Sequence, residues 1–309
     1  MTKADLVLEG GGVKGIGLVG AVTKLVANGY TFERIAGTSA GAIVAAAVAA
    51  GIAPAKMRDK LGEVDRRFLD LAEHPNVPLV GIPQAILHDF GIYRGDAFRT
   101  WMNELLGNIT FGDLKRTPSD SDDKSVGRSN PLYKLVVMTA DVTQGTLVRL
   151  PWDYEKYGLD PDRQLVADAV RMSMSIPFFF VPVKLPGRAE LFVDGGLLSN
   201  FPIDVFDRRD GKQSRWPTIG VKLSSATAAQ QVPTHLPGVA GFAERVALAA
   251  INGHDRMHLD EATAKRTIFV DTQSVSAIDF DLSPNTKTLL FDTGMTSAEK
   301  FLETFVWPQ

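Results

Sequence analysis

The sequence predicts an α/β protein built on a mainly parallel sheet. Two observations carry this. Strand-like and helix-like segments alternate from the first residues, and the first two strand-to-helix junctions are both glycine-rich. Asp5 to Glu9 (DLVLE) reads as a short buried strand ending at a glycine cluster, and Gly15 to Ala27 carries apolar residues at helical spacing up to Asn28-Gly29. Phe32 to Gly37 (FERIAG) is a second strand, followed by an alanine-rich helix from Ala40.

Further along, Pro54 to Ala72 reads as a helix with proline near its start, and Asp96 to Leu106 as another. Thr117 to Asn130 is polar, charged and without apolar anchors, the pattern of a loop. Lys134 to Ala140 (KLVVMTA) is a buried strand with Thr146 to Leu150 pairing beside it, and Arg163 to Met174 is helical. Glu190 to Asp194, Thr218 to Leu223 and Thr267 to Asp271 are strands; Gly241 to Ala264 and Thr286 to Thr304 are helices. There is no internal repeat and no linker-like stretch between two apolar segments, so residues 1–309 are expected to form one domain.

Composition narrows the function classes. The 309 residues are 45% hydrophobic and 22% charged, ordinary for a globular protein and enough for a sizeable core. A net charge of −3 gives no bulk attraction for nucleic acid. The absence of cysteine excludes disulfides, thiolate metal sites and a cysteine nucleophile. The N-terminus lacks the pattern of a secretory signal, and the most apolar run, Ala40 to Ala53, is too short to span a bilayer. A soluble, cytoplasmic protein is the expectation.

Three motifs carry chemistry. Gly10-Gly11-Gly12-Val13-Lys14-Gly15 follows the first strand and opens the first helix. Consecutive glycines let the backbone approach a ligand and aim several N–H groups together, and the helix N-terminus adds partial positive charge. Such a turn suits an anion, either a phosphate or a transient oxyanion. It also matches the GxGxxG pattern of dinucleotide-binding proteins, with Glu33 about where a ribose ligand would fall. Lys14 either adds positive charge to the site or pairs with a nearby carboxylate. The second motif, Gly37-Thr38-Ser39-Ala40-Gly41, again lies between strand and helix, where a nucleophile elbow places its serine. The third, Asp194-Gly195-Gly196, puts a carboxylate at a strand's C-terminal end, where α/β sheets build their sites. Asp141, at the end of KLVVMTA, is a reserve carboxylate.

The histidines, His74, His88, His235, His254 and His258, limit what a serine site can be. A Ser–His–Asp hydrolase of the usual α/β order needs a histidine after its acid. His235, His254 and His258 satisfy the order, but none sits at a glycine-rich strand end. HDRMH spaces His254 and His258 for one helix face without the glutamate of a zinc protease, so a polar helix face is the plainer reading. No metal or cofactor is implied. Two apolar stretches, Val77 to Phe90 and Met172 to Val183, are candidate walls of a path for an apolar substrate.

GGGVKG, GTSAG and DGG, in this order, resemble the patatin-like phospholipases. RMSMSIPFFF (Arg171 to Phe180), DGGLLSNFPI, VDT (Val270 to Thr272) and DFDLS (Asp279 to Ser283) extend the resemblance over nearly the whole chain. One departure is Gly196, where many members have alanine. The resemblance implies a three-layer α/β/α patatin-like fold and a Ser–Asp dyad that works without histidine. It implies Ser39 as nucleophile within an elbow flanked by Gly37 and Gly41, and Asp194 as general base. It makes the loop of Gly10, Gly11, Gly12, Lys14 and Gly15 the oxyanion hole. The implied substrate is a phospholipid or other acyl ester, met in transient contact with a membrane surface or micelle.

Overall fold

The computed structural model describes residues 1–64, 68–70, 89–116, 132–208, 210, 212–223, 238–254, 260–272 and 275–307. The chain opens with β1 (Thr2–Leu8), α1 (Ile16–Ala27), β2 (Tyr30–Thr38), α2 (Ala40–Ala49) and α3 (Pro54–Gly62). The middle holds β3 (Gly91–Tyr93), α4 (Asp96–Leu106), β4 (Leu135–Asp141), β5 (Thr146–Leu150), α5 (Val166–Ser173), β6 (Phe178–Phe180) and β7 (Phe192–Asp194). β8 (Thr218–Lys222), α6 (Gly238–His254), α7 (Glu261–Lys265), β9 (Thr267–Phe269) and α8 (Pro284–Thr304) follow.

The central sheet runs β5-β4-β2-β1-β8-β9. Every neighbour pair along β4-β2-β1-β8-β9 is parallel, and β5 pairs antiparallel with β4. The central strands are buried along almost their whole length, which is why they read as continuous apolar runs rather than as alternation. Core side chains lie on both faces. Leu6, Leu8, Ile35, Val137 and Val221 join one large cluster with α1 and α2, while Val7, Ala36, Val136 and Met138 pack with Phe201 and Phe206 in a second.

β4 carries the arrangement that matters for the site. β2 pairs with it up to Thr38 opposite Met138. The chain then turns off at Ser39, and β7 enters antiparallel with Asp194 opposite Thr139. Since β5 occupies the other edge of β4 over Val137 to Asp141, β2 and β7 share one edge end to end. Asp194 therefore arrives at the register position next to the point where the chain leaves for Ser39.

Two expectations need correction. The helix from Pro54 stops at Gly62, where the Lys287 ammonium donates to the Gly62 carbonyl at 2.7 Å and to that of Val64 at 3.0 Å. The expected helix Gly241 to Ala264 is two: α6 ends at His254, and Asp260 caps the start of α7 by accepting the Thr263 N–H at 2.7 Å. β3 and β6, which form a separate parallel pair, were not foreseen as strands. The expected loop 117–130 lies outside the described residues.

Candidate active site

The turn between β2 and α2 is a single residue, Ser39, with φ 52° and ψ −122°. Left-handed backbone of this kind costs a residue with a side chain on the order of 1–3 kcal/mol, so the surroundings must hold it. Glycines make room for the sharp turn: a Cβ on Gly37 would fall 2.3 Å from the Gly41 carbonyl oxygen, and one on Gly41 2.3 Å from that of Leu8. A buried hydroxyl adds a direct restraint. Ser173 Oγ accepts the Ser39 N–H at 2.8 Å and donates to the Met138 carbonyl at 2.6 Å.

Asp194 is 1% exposed and Ser39 5%. The Asp194 N–H is tied to the Ser175 carbonyl at 2.8 Å, and its Oδ1 accepts the Gly196 N–H at 2.8 Å. Its side chain is hydrogen-bonded to that of Ser39. Burial pushes the carboxyl up to about 7, partly opposed by the bonds from Ser39 and Gly196, which favour the ionised form. Ser39 and Asp194, distant in sequence, are thus brought together.

The glycine loop lies against both. Gly10 donates its N–H to the Asn200 carbonyl at 3.0 Å, and Asn200 Nδ2 donates back to the Gly10 carbonyl at 3.3 Å. That occupies the Gly10 N–H. The N–H groups of Gly11 and Gly12 have no hydrogen-bond partner among the described residues. Gly12 has φ 57°, and a Cβ there would fall 1.8 Å from the Ala277 carbonyl, which accepts the Val13 N–H at 2.9 Å. Gly15 packs against Ala40, so the loop is seated on the start of α2. Lys14 is buried beside the loop. Burial pushes its ammonium below the usual range, with Glu9 acting in the opposite direction and Lys222 reinforcing the shift. The Glu9 carboxylate is itself paired with Lys222 and accepts the Leu223 N–H.

An apolar pocket of about 50 Å³ opens on Ser39. Its walls include Ile43 and Leu61 from α2 and α3, Phe98 from α4, and Met174, Ile176 and Phe180 from the segment through β6. Phe280, from the C-terminal DFDLS stretch, completes one side and stacks on Phe179. The second apolar stretch read from the sequence, Met172 to Val183, therefore contributes to the wall. Of the first, only Asp89 and Phe90 are described.

Other candidates fall away. Asp141, the reserve carboxylate, accepts the N–H groups of Thr143 and Gln144 and the hydroxyl of Tyr157. It closes the β4–β5 turn. Glu33 is ion-paired with Lys3 at 2.9 Å and Arg116 at 3.5 Å. His74, His88, His235, His258 and the side chain of His254 lie outside the described residues. Sequence reasoning assigned no role to Ser173, Ser175 or Asn200; the only available signal was their presence in RMSMS and DGGLLSN.

The family model "Patatin-like phospholipase" matches residues 6–207. The uncharacterized protein YqhO of Bacillus subtilis (strain 168) is 35% identical over 310 residues, covering 98% of this chain and 99% of its own. A protein of Invertebrate iridescent virus 6 named "Probable lipid hydrolase 463L" is 24% identical over 223 residues, 68% of this chain and 67% of its own. Among solved structures, VipD from Legionella pneumophila superposes with a TM-score of 0.51 at 18% identity, over 98% of this chain and 67% of VipD. ExoU of Pseudomonas aeruginosa, solved in complex with SpcU, gives 0.50 at 18% identity over 100% of this chain and 53% of its counterpart, so the chain spans about half of that protein. The fold is shared with both, and on the strength of the family model and of YqhO the chain belongs to the patatin-like phospholipase family.

Proposed function

We propose that the protein is a serine lipid acyl hydrolase of phospholipase A or lysophospholipase type, with Ser39 as nucleophile and Asp194 as general base. The observation that carries this reading is the hydrogen bond between a strained, buried serine and a buried carboxyl whose affinity for a proton is raised, at the mouth of an apolar pocket. Asp194 takes the Ser39 hydroxyl proton while Oγ attacks the acyl carbonyl. The oxyanion that forms is met by the N–H groups of Gly11 and Gly12, with the N-terminus of α2 beneath it. Collapse expels the alkoxide, which recovers the proton from Asp194, and leaves an acyl-enzyme. Asp194 then takes a proton from water as it attacks the acyl-enzyme, and returns it to the Ser39 oxygen as the fatty acid leaves.

A base with an ordinary aspartate pKa is nearly inert toward a hydroxyl, and the raised value moves Asp194 closer to working pH. The pocket takes the acyl chain. Phe242 and Val246, one turn apart and both exposed on α6, lie on a helix that packs against the Gly195–Leu197 turn and offer an apolar stripe for brief contact with a lipid surface. A series of nitrophenyl esters of rising chain length, followed by phospholipids and acylglycerols, tests the reading. Esters of medium and long chains should be cleaved well ahead of the acetate. Absence of hydrolysis across the whole series overturns it.

A further inference from the structure

A second cavity of about 420 Å³ lies away from Ser39, between α4, α5 and the segment that follows β6. Four cations line it: Arg94, Arg99, Arg171 and Lys184; the acidic residues on its wall are Asp96 and Asp168. Arg94 pairs with Asp96 at 3.1 Å, and Arg99 pairs with Asp168. All four of these side chains are more than a third exposed, so the pairs are cheap to rearrange. Lys184 is exposed and has no ion pair among the described residues.

Arg171 is the anomaly. It is 5% exposed, yet it donates only to neutral groups: the Ser175 hydroxyl and the carbonyls of Arg94 and Val181. Buried cations are ordinarily matched by an anion, and this one has no carboxylate in hydrogen-bond contact among the described residues; Asp96 and Asp70 act on it only through space. Burial has pushed its guanidinium down to about 10. The rest of the wall is apolar, with Met172, Val181, Val183 and Leu185 among its residues.

We infer that this cavity binds an anionic amphiphile, a carboxylate or phosphate head drawn to Arg171, Arg99 and Lys184 with its chain along the apolar wall. The site is separate from the Ser39 pocket but shares a partition with it. The Arg171 guanidinium lies 5.4 Å from the centre of the Phe180 ring, and Phe180 lines the Ser39 pocket. Arg171 also holds the Ser175 hydroxyl, and the Ser175 carbonyl holds the Asp194 N–H. An occupant therefore touches the residue that braces the segment behind both Ser39 and Asp194.

Calorimetric titration of the full chain with dodecyl phosphate and with laurate, both below their micellar thresholds, tests this without reference to hydrolysis. The loss of esterase activity would leave the binding result standing, and the reverse holds. Inorganic phosphate and a neutral dodecyl glycoside are the control probes. The double variant Lys184→Glu, Arg99→Gln should weaken binding of the anionic amphiphiles at least about tenfold with an unchanged thermal transition. Ile43→Trp, which obstructs the Ser39 pocket, should leave it unchanged. Tight binding of either amphiphile supports the site, and the tighter of the two identifies the head group. Binding that survives the charge changes and is lost in Ile43→Trp places the ligand at Ser39 and overturns the proposal. So does affinity for inorganic phosphate or the neutral glycoside equal to that for dodecyl phosphate, or no binding at all.

Discussion

Ser39 and Asp194 each sit in a state that an isolated residue avoids, one in its backbone and the other in its proton affinity. The carboxyl must be ionised to act as base, and its pKa is raised by burial to about 7. Activity in the free enzyme should therefore fall as pH drops through about 7, not through the ordinary carboxylate range near 4. A pH–rate profile of kcat/KM on a nitrophenyl ester measures this, and a flat profile between about pH 5 and pH 8 contradicts it. The serine's conformation depends on Ser173, whose hydroxyl satisfies the Ser39 N–H and the Met138 carbonyl at once. Ser173→Ala leaves both buried groups without that partner, a loss of about 1–3 kcal/mol each. It should lower kcat roughly 10- to 100-fold with little change in KM, since the pocket walls are untouched. A raised KM at unchanged kcat would deny the positioning role. At this scale the sequence was legible where chemistry and sterics are local. Gly37 and Gly41 flank Ser39 because the turn has no room for Cβ atoms, and pattern reading finds that. Ser173 was not legible as a partner, because its bond spans 134 positions and nothing near either residue encodes it.

β1 and β2 show why the sheet holds its register. Asp5 and Arg34 face each other across the ladder, Arg34 Nε donates to Asp5 Oδ1 at 2.9 Å, and both residues are almost wholly buried. Arg34 also lies over the rings of Phe206 and Trp216. Asp5→Ala strands a buried guanidinium and should destabilise the fold by about 3–5 kcal/mol. Replacing both partners with apolar residues of similar size should recover most of the loss. Denaturant titration of the single and double variants tests this; equal stability of Asp5→Ala and the parent protein would contradict it. Long elements were readable because burial repeats along them: the central strands and the helices α4 and α8 fall close to their expected bounds. Three-residue strands carry no such period. β3 and β6 are defined by each other, Gly91 opposite Phe178, across a separation that no local window sees. The helix from Pro54 was overextended for the same reason, because the lysine that ends it comes from α8.

Taken whole, the fold sets Ser39 and Asp194 where one strand edge changes hands. β2 leaves β4 at Ser39, β7 takes over at Asp194, and Asn200 ties the glycine loop of β1 to the turn after β7. Parallel β1 and β2 carry the glycine loop and Ser39 to one side of the sheet, and antiparallel β7 brings Asp194 to them from the opposite direction. Their order was legible; the handover on β4 was not, since it depends on pairing partners. No helix among the described residues is long and apolar enough to cross a membrane. The central claim is that Ser39 is the nucleophile and that Asp194 activates it. Intact-mass and peptide mass spectrometry after treatment with an alkyl fluorophosphonate at about pH 8 tests both parts at once. One adduct, located on Ser39, should form in the parent protein, none in Ser39→Ala, and it should form at least about a hundredfold more slowly in Asp194→Asn. An adduct on another residue, or labelling of Asp194→Asn as fast as the parent protein, would contradict the account.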